Sequence, residues 1–306
     1  MQAPALKFLA VGGPSSALGS PRRMAYWDWA SLDPESKHVV VCVHGLSRQG
    51  RDFDTLAKAL VPTSRVIAVD VAGRGHSDWL ADPMQYQVPT YVADLAALLQ
   101  ALRTETPDIT VDWVGTSMGG LIGMAVAAQP VFGLRRLVLN DVGPVIQWTA
   151  LQRIGTYLGQ DPVFPSQVHA FDYLASISPG FGVHTPEEWL ALNEPMLRAR
   201  EGAIRLHYDP AIALPLRALL SQADIALAQQ SVRDSEALLW QLYDAISCDT
   251  LLLRGAESDL LTVATAQEMS RRGPRARCAT FEGVGQSASF IRHAQIKTCQ
   301  FFNFLF

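Results

Sequence analysis

The chain reads as an α/β protein, a doubly wound, mostly parallel sheet with an inserted helical cap. Three observations lead there. Short apolar runs alternate with amphipathic stretches up to about residue 144 and resume at Thr250, the pattern of parallel strands covered on both faces by helices. Gly115-Thr116-Ser117-Met118-Gly119 joins one such run to a small-residue helix, setting a single serine at a strand-to-helix turn. Between about Val145 and Ala237 the strand pattern stops, and helix-like stretches broken by proline replace it.

Taken in order, Ala5 to Val11 and Arg23 to Trp29 flank a Gly/Pro/Ser loop and predict an opening antiparallel pair. After the Asp33-Pro34 turn, Val39 to Val43 is continuously apolar, as a strand buried on both faces should be, and it ends at His44-Gly45-Leu46. Phe53 to Leu60 predicts a short amphipathic helix and Arg65 to Val69 a strand. The glycine-rich run Asp70 to Asp78 follows; its spacing fits neither a dinucleotide nor a Walker fingerprint, so it reads as a structural turn. Val92, Leu95, Leu98, Leu99 and Leu102 share one face of a helix over Thr90 to Leu102. Thr110 to Val114 is the strand before the serine, and Gly120 to Gln129 the helix after it, stopped by Pro130. Leu137 to Leu139, Thr250 to Arg254 and Arg277 to Phe281 complete the strands. Such a sheet carries its site at the carboxyl ends of its strands.

The expected division is a core of residues 1–144 and 238–306 with a cap of residues 145–237. The cap holds Trp148, Tyr157, Phe164, Phe171, Tyr173, Phe181, Trp189 and Tyr208, of which one or two are expected to line a water-poor pocket. A net charge of −4, with both signs scattered, leaves no basic footprint and argues against nucleic acid as a partner. Cys42, Cys248, Cys278 and Cys299 form no Cys-x-x-Cys pair and read as buried free thiols, which fits a reducing cytoplasm. No run approaches a membrane span or a signal-peptide core, so membrane attachment is not expected, and no metal or cofactor fingerprint is present.

At a Gly-x-Ser-x-Gly turn, Gly115 and Gly119 make room where side chains would meet the neighbouring strand and helix. The helix N-terminus beneath Ser117 offers unpaired N–H groups and a positive dipole end to an oxyanion. That combination suits acyl transfer to a small-molecule substrate. With these features the chain resembles the α/β-hydrolase family over nearly its whole length outside the central segment. The resemblance implies a carboxylic-ester hydrolase in which Ser117 attacks the carbonyl and the backbone N–H groups of Leu46 and Met118 form the oxyanion hole, with His44 and Gly45 shaping the facing loop. His44 itself reads as a loop histidine bonded to backbone. The resemblance places the orienting acid at Asp259, with Asp141 in reserve and Glu257 third. An N-cap of the following helix is the plainer role for Asp259.

The family's catalytic histidine would fall in the loop after Glu282-Gly283-Val284-Gly285, where this chain has Gln286. A glutamine amide has no titratable site in the working range, so it can bond Ser117 but cannot act as its base. Three readings stay open: a hydrolase strongly slowed by replacement of a parental histidine at 286, a hydrolase recruiting His293, His169, His184 or His207, and a ligand-binding protein on a hydrolase scaffold.

Overall fold

The computed structural model describes residues 3–12, 21–285, 293–301 and 304–305. The chain begins with strands β1 (Ala5–Val11), β2 (Arg22–Trp29) and β3 (His38–Val43), helix α1 (Asp54–Leu60) and strand β4 (Arg65–Val69). Helix α2 (Val88–Glu105), strand β5 (Thr110–Thr116), helix α3 (Met118–Ala127) and strand β6 (Leu134–Asn140) follow. An insertion then runs through α4 (Trp148–Tyr157), α5 (Gln167–Ile177), α6 (Pro186–Asn193), the strands β7 (Leu197–Arg200) and β8 (Ala203–Leu206), α7 (Leu214–Leu220) and α8 (Ile225–Asp244). Strand β9 (Asp249–Gly255), helix α9 (Val263–Met269), strand β10 (Arg277–Phe281) and helix α10 (His293–Phe301) close the chain.

Among the described residues the main sheet has the order β1-β2-β4-β3-β5-β6-β9-β10. Strand β2 pairs antiparallel with β1 and β4, and every other pairing is parallel. The strand period of two explains the continuous apolar runs. In β3, Val41 and Val43 enter one apolar layer with Leu95, Trp113, Ile122 and Tyr243, while Val40 and Cys42 enter the other with Leu56, Leu60, Val114 and Ile296. Each such side chain, removed from water, contributes roughly 1.5–3 kcal/mol. Two covered faces leave only the strand ends open for chemistry. The carboxyl ends of β3, β5, β6 and β9 lead into His44, Ser117, Asp141 and Ala256 in turn, so the candidate residues gather along one edge.

Three features differ from the sequence reading. The insertion is not wholly helical: β7 and β8 form an antiparallel hairpin. Glu201 and Gly202 turn it with φ of 56° and 76°, the primed two-residue turn whose twist suits paired strands. The boundary expected at 237/238 falls inside α8, which runs unbroken to Asp244. Cys278 is exposed and Cys248 half-buried, unlike the buried Cys42 and Cys299. Cys278 lies on β10, an edge strand of the main sheet that is mostly exposed.

Candidate active site

Ser117 occupies the turn between β5 and α3 with φ 50° and ψ −115°, a conformation that ordinary side chains avoid. The surroundings enforce it. Its N–H donates to the Asn140 carbonyl at 2.9 Å, and its carbonyl accepts from the N–H groups of Gly120 and Leu121 at 2.8 and 3.1 Å. A Cβ on Gly115 would collide with the backbone of Gly119, and one on Gly119 with the carbonyl of Val43. Both positions therefore need glycine if α3 is to press this closely onto the strand ends. Met118 is the first residue of α3, so its N–H has no partner within the helix.

The facing loop is built from β3. His44 is fully buried, with Nδ1 2.7 Å from the Gly45 carbonyl and Nε2 accepting from the Val71 N–H at 3.0 Å. Burial, aided by the charges of Arg74 and Arg48, pushes its pKa down to about 3, although the Gly45 carbonyl pulls the other way. The ring is neutral, donates from Nδ1 and has both nitrogens engaged, so it is no proton acceptor for Ser117. The Gly45 carbonyl also accepts from the Arg48 N–H at 3.1 Å. In a trans peptide the C=O and N–H point in opposite directions, so pinning this carbonyl aims the Leu46 N–H away from His44. A Cβ on Gly45 would meet nothing nearer than Arg48 Cγ and Ser117 Cβ, each at 3.8 Å; space alone does not demand glycine there.

Arg74, within the run read as a structural turn, is fully buried behind the same loop. It donates to the Leu46 carbonyl at 2.8 Å, to the Ala72 carbonyl at 2.7 Å and to the Tyr91 hydroxyl at 2.9 Å, and lies 3.7 Å from Met118 Sδ. One guanidinium thus bridges both residues expected to hold the oxyanion. The sequence gives no signal for this, because an arginine between glycines reads as solvated.

Ser117 opens onto a cavity of about 100 Å³ with mostly apolar walls. Of the cap aromatics, Tyr157, Phe181 and Tyr208 line it. The Tyr208 hydroxyl is occupied by the Gln160 carbonyl at 2.9 Å. The charged wall residues are Arg48 and Asp52, joined by two bonds of 2.8 and 2.7 Å.

Asp259 follows β9, and its neighbour Leu260 lines the cavity. Its carboxylate accepts from Arg153 of α4 at 2.9 and 3.4 Å. It does not cap α9, where Thr262 accepts from the Thr265 N–H instead. Asp141 is fully buried at the end of β6 with φ 55°, and its N–H donates to the Leu253 carbonyl at 2.8 Å. Glu257 donates its N–H to the Val284 carbonyl. Gln286 lies outside the described residues, as does the side chain of His293. Among the described residues no histidine lines the cavity. His169 bonds Ser166 at 2.8 Å, His184 stacks on Trp189, and His207 packs edge-on to His76 with its pKa pushed down to about 4, mainly by burial.

A second serine, histidine and aspartate stand in line elsewhere. Ser64 Oγ lies 2.7 Å from His38 Nδ1, and His38 Nε2 lies 2.8 Å from Asp112. Ser64 is fully buried and Asp112 also holds Arg135 at 2.8 Å, so this chain of bonds ties strand ends together at the edge of the sheet opposite Ser117.

Residues 40–296 match the model of the alpha/beta hydrolase family. The chain is 45% identical over 285 residues to a 3-hydroxybutyrate-oligomer hydrolase of Cupriavidus necator, covering 92% of each. It is 28% identical over 245 residues to an esterase of Mycobacterium tuberculosis, covering 78% of this chain and 72% of the esterase. A solved alpha/beta hydrolase of Novosphingobium aromaticivorans superposes with a TM-score of 0.78 at 29% identity, covering 98% of both chains.

Proposed function

The chain belongs to the alpha/beta hydrolase family, and from that premise we propose that it is a serine hydrolase of short-chain carboxylic esters that works through an acyl-enzyme on Ser117. The observation that carries this reading is the strained serine turn, with Met118 first in the helix that follows it, opening into a small, mostly apolar cavity that Leu46 also lines. About 100 Å³ suits a short acyl group, and the Cupriavidus relative is named for oligomers of one, 3-hydroxybutyrate.

In the mechanism, Ser117 Oγ attacks the ester carbonyl while its proton passes to solvent water, because the side chain at the base position has no site to take it. The oxygen that gains charge is held by the N–H groups of Leu46 and Met118, backed by Arg74. The alcohol leaves with a proton, and water then releases the acid. Asp259 would orient a base at position 286, where this chain carries Gln286. Since Gln286 cannot take the proton, turnover of the chain as it stands is slow. Removing one member of such a triad costs on the order of 10⁴ to 10⁶ in turnover, with a residual rate from oxyanion hole and binding.

The Arg153–Asp259 ion pair favours a second reading, a ligand-binding protein whose acid is held away from catalysis. A fluorophosphonate separates the two. The hydrolase reading expects a mass increment on Ser117 that is absent from Ser117→Ala; intact protein unmodified after prolonged exposure, together with reversible binding of an unreactive ester analogue, would favour the binder.

A further inference from the structure

Taking the cavity as an acyl pocket, we propose that Arg48 and Asp52 read a hydroxyl group carried on the acyl chain, so that hydroxyacyl esters are selected over plain acyl esters. The inference rests on the hydrolase reading above and extends it to what the acyl group must contain.

Arg48 follows Leu46 by two residues, and its Cγ and the Cβ of Ser117 each lie 3.8 Å from the point where a Gly45 Cβ would sit. Arg48 and Ser117 line the same cavity. Its side chain is 9% exposed and that of Asp52 19%. Four bonds are in place: Nε and Nη2 to the two Asp52 oxygens, Nη2 to the Leu192 carbonyl at 2.6 Å and Nη1 to Asn193 Oδ1 at 3.2 Å. A guanidinium has five N–H groups, and a carboxylate accepts about four bonds. One Nη1 N–H and two acceptor positions on Asp52 remain, on residues that line the cavity.

The charge balance chooses the ligand. The pair is neutral as a unit, so it has no excess charge with which to hold a carboxylate. It offers one donor and at least one acceptor side by side, which is what a hydroxyl group, itself donor and acceptor, requires. Ser47, Thr116 and Ser178 also line the wall, the Thr116 hydroxyl accepting from Asn140 Nδ2 at 3.1 Å. Arg48 meets the cap through the Leu192 and Asn193 bonds and over the Phe181 ring, 5.7 Å from its centroid. An ion pair kept on a mostly apolar wall costs desolvation that a hydrophobic contact would avoid, and a polar ligand group offsets that cost.

The test compares kcat/KM for p-nitrophenyl 3-hydroxybutyrate and p-nitrophenyl butyrate in the protein, in Asp52→Asn and in Arg48→Lys. The hydroxylated ester is expected to be favoured by about tenfold or more, the worth of a bond to a charged group, and that ratio should collapse toward unity in both variants. Asp52→Asn also leaves an uncompensated positive charge on the wall, so free butyrate should inhibit it at least about tenfold more strongly, a change that loosened packing does not produce. Equal kcat/KM for the two esters in the unaltered protein, or a ratio that survives both substitutions, overturns the proposal. Absence of measurable turnover with both esters follows from Gln286 at the base position and leaves the hydrolase reading to the Gln286→His comparison. In that case the calorimetric Kd values of methyl 3-hydroxybutyrate and methyl butyrate decide, tighter binding of the former supporting the proposal and equal binding overturning it. Arg48→Lys keeps the charge and removes the fork, so the ratio remains testable if Asp52→Asn does not fold.

Discussion

Single residues set the geometry at Ser117. Gly119 has the Val43 carbonyl where a methyl group would sit, so Gly119→Ala must push α3 off the strand end or fail to fold. A loss of about 2 kcal/mol or more in urea unfolding is expected, in the range of overpacking, with fluorophosphonate labelling lost alongside; a variant of unchanged stability would show that α3 does not sit so close. At this scale the sequence was informative wherever a residue type has few uses. Glycines flanking a serine after a β-branched strand have one good explanation. Arg48, Asp52 and Arg74 carry charges that ordinarily sit in water, and only the fold shows Arg48 held by α6 of the insertion and Arg74 by the loops after β3 and β4. Cys278 misled for a related reason, since strand membership does not tell which strand lies at the edge.

Among elements, the alternation of buried strands and helices was legible because strands covered on both faces must be apolar throughout, as Val39 to Val43 and Leu251 to Leu253 are. The hairpin in the insertion was not. Arg198, Arg200 and Arg205 alternate with small or apolar residues, and their length and charge suggest a solvated segment. In the fold, Arg198 and Arg200 lie over Trp79 at 5.0 and 5.7 Å, and Arg200 and Arg205 hold Asp161. Helix α6 matters because its C-terminal Leu192 and Asn193 receive Arg48. It starts with a capping box, Thr185 accepting from the Glu188 N–H at 3.2 Å and Glu188 accepting from the Thr185 N–H at 3.0 Å. Thr185→Ala should lower unfolding stability by about 1 kcal/mol, read as a shift in the denaturant midpoint at constant slope; no shift would mean that α6 is held by its packing alone.

Across the molecule, the loops that follow β3 and β4 are tied together by Asp70, which accepts from the Gly50 N–H at 2.8 Å and the His76 N–H at 2.9 Å. Burial pushes its pKa up to about 6, although those two bonds favour the charged form. The folded protein therefore holds this proton longer than the unfolded chain does. The Asp70 contribution is present below the ordinary carboxylate pKa and declines as pH rises through 6, by about 3 kcal/mol at 1.36 kcal/mol per pKa unit. Asp70→Asn should flatten the stability profile between about pH 4 and 6, whatever it does to the absolute value; an unchanged slope would place the titration elsewhere. The doubly wound sheet was legible at this scale, since the alternation of apolar runs and amphipathic stretches repeats along the chain. Gln286, placed at the base position by the resemblance, lies outside the described residues.

The hydrolase account meets its most direct test at that position. Hydrolysis of p-nitrophenyl butyrate by the protein and by Gln286→His, followed from about pH 5 to 9, should show histidine raising kcat by about 10³-fold or more and introducing a limb near the ordinary histidine pKa of about 6.5. A protein already fast with Gln286, to which histidine adds neither rate nor pH limb, would contradict the assignment of Ser117, Asp259 and residue 286 as one catalytic unit.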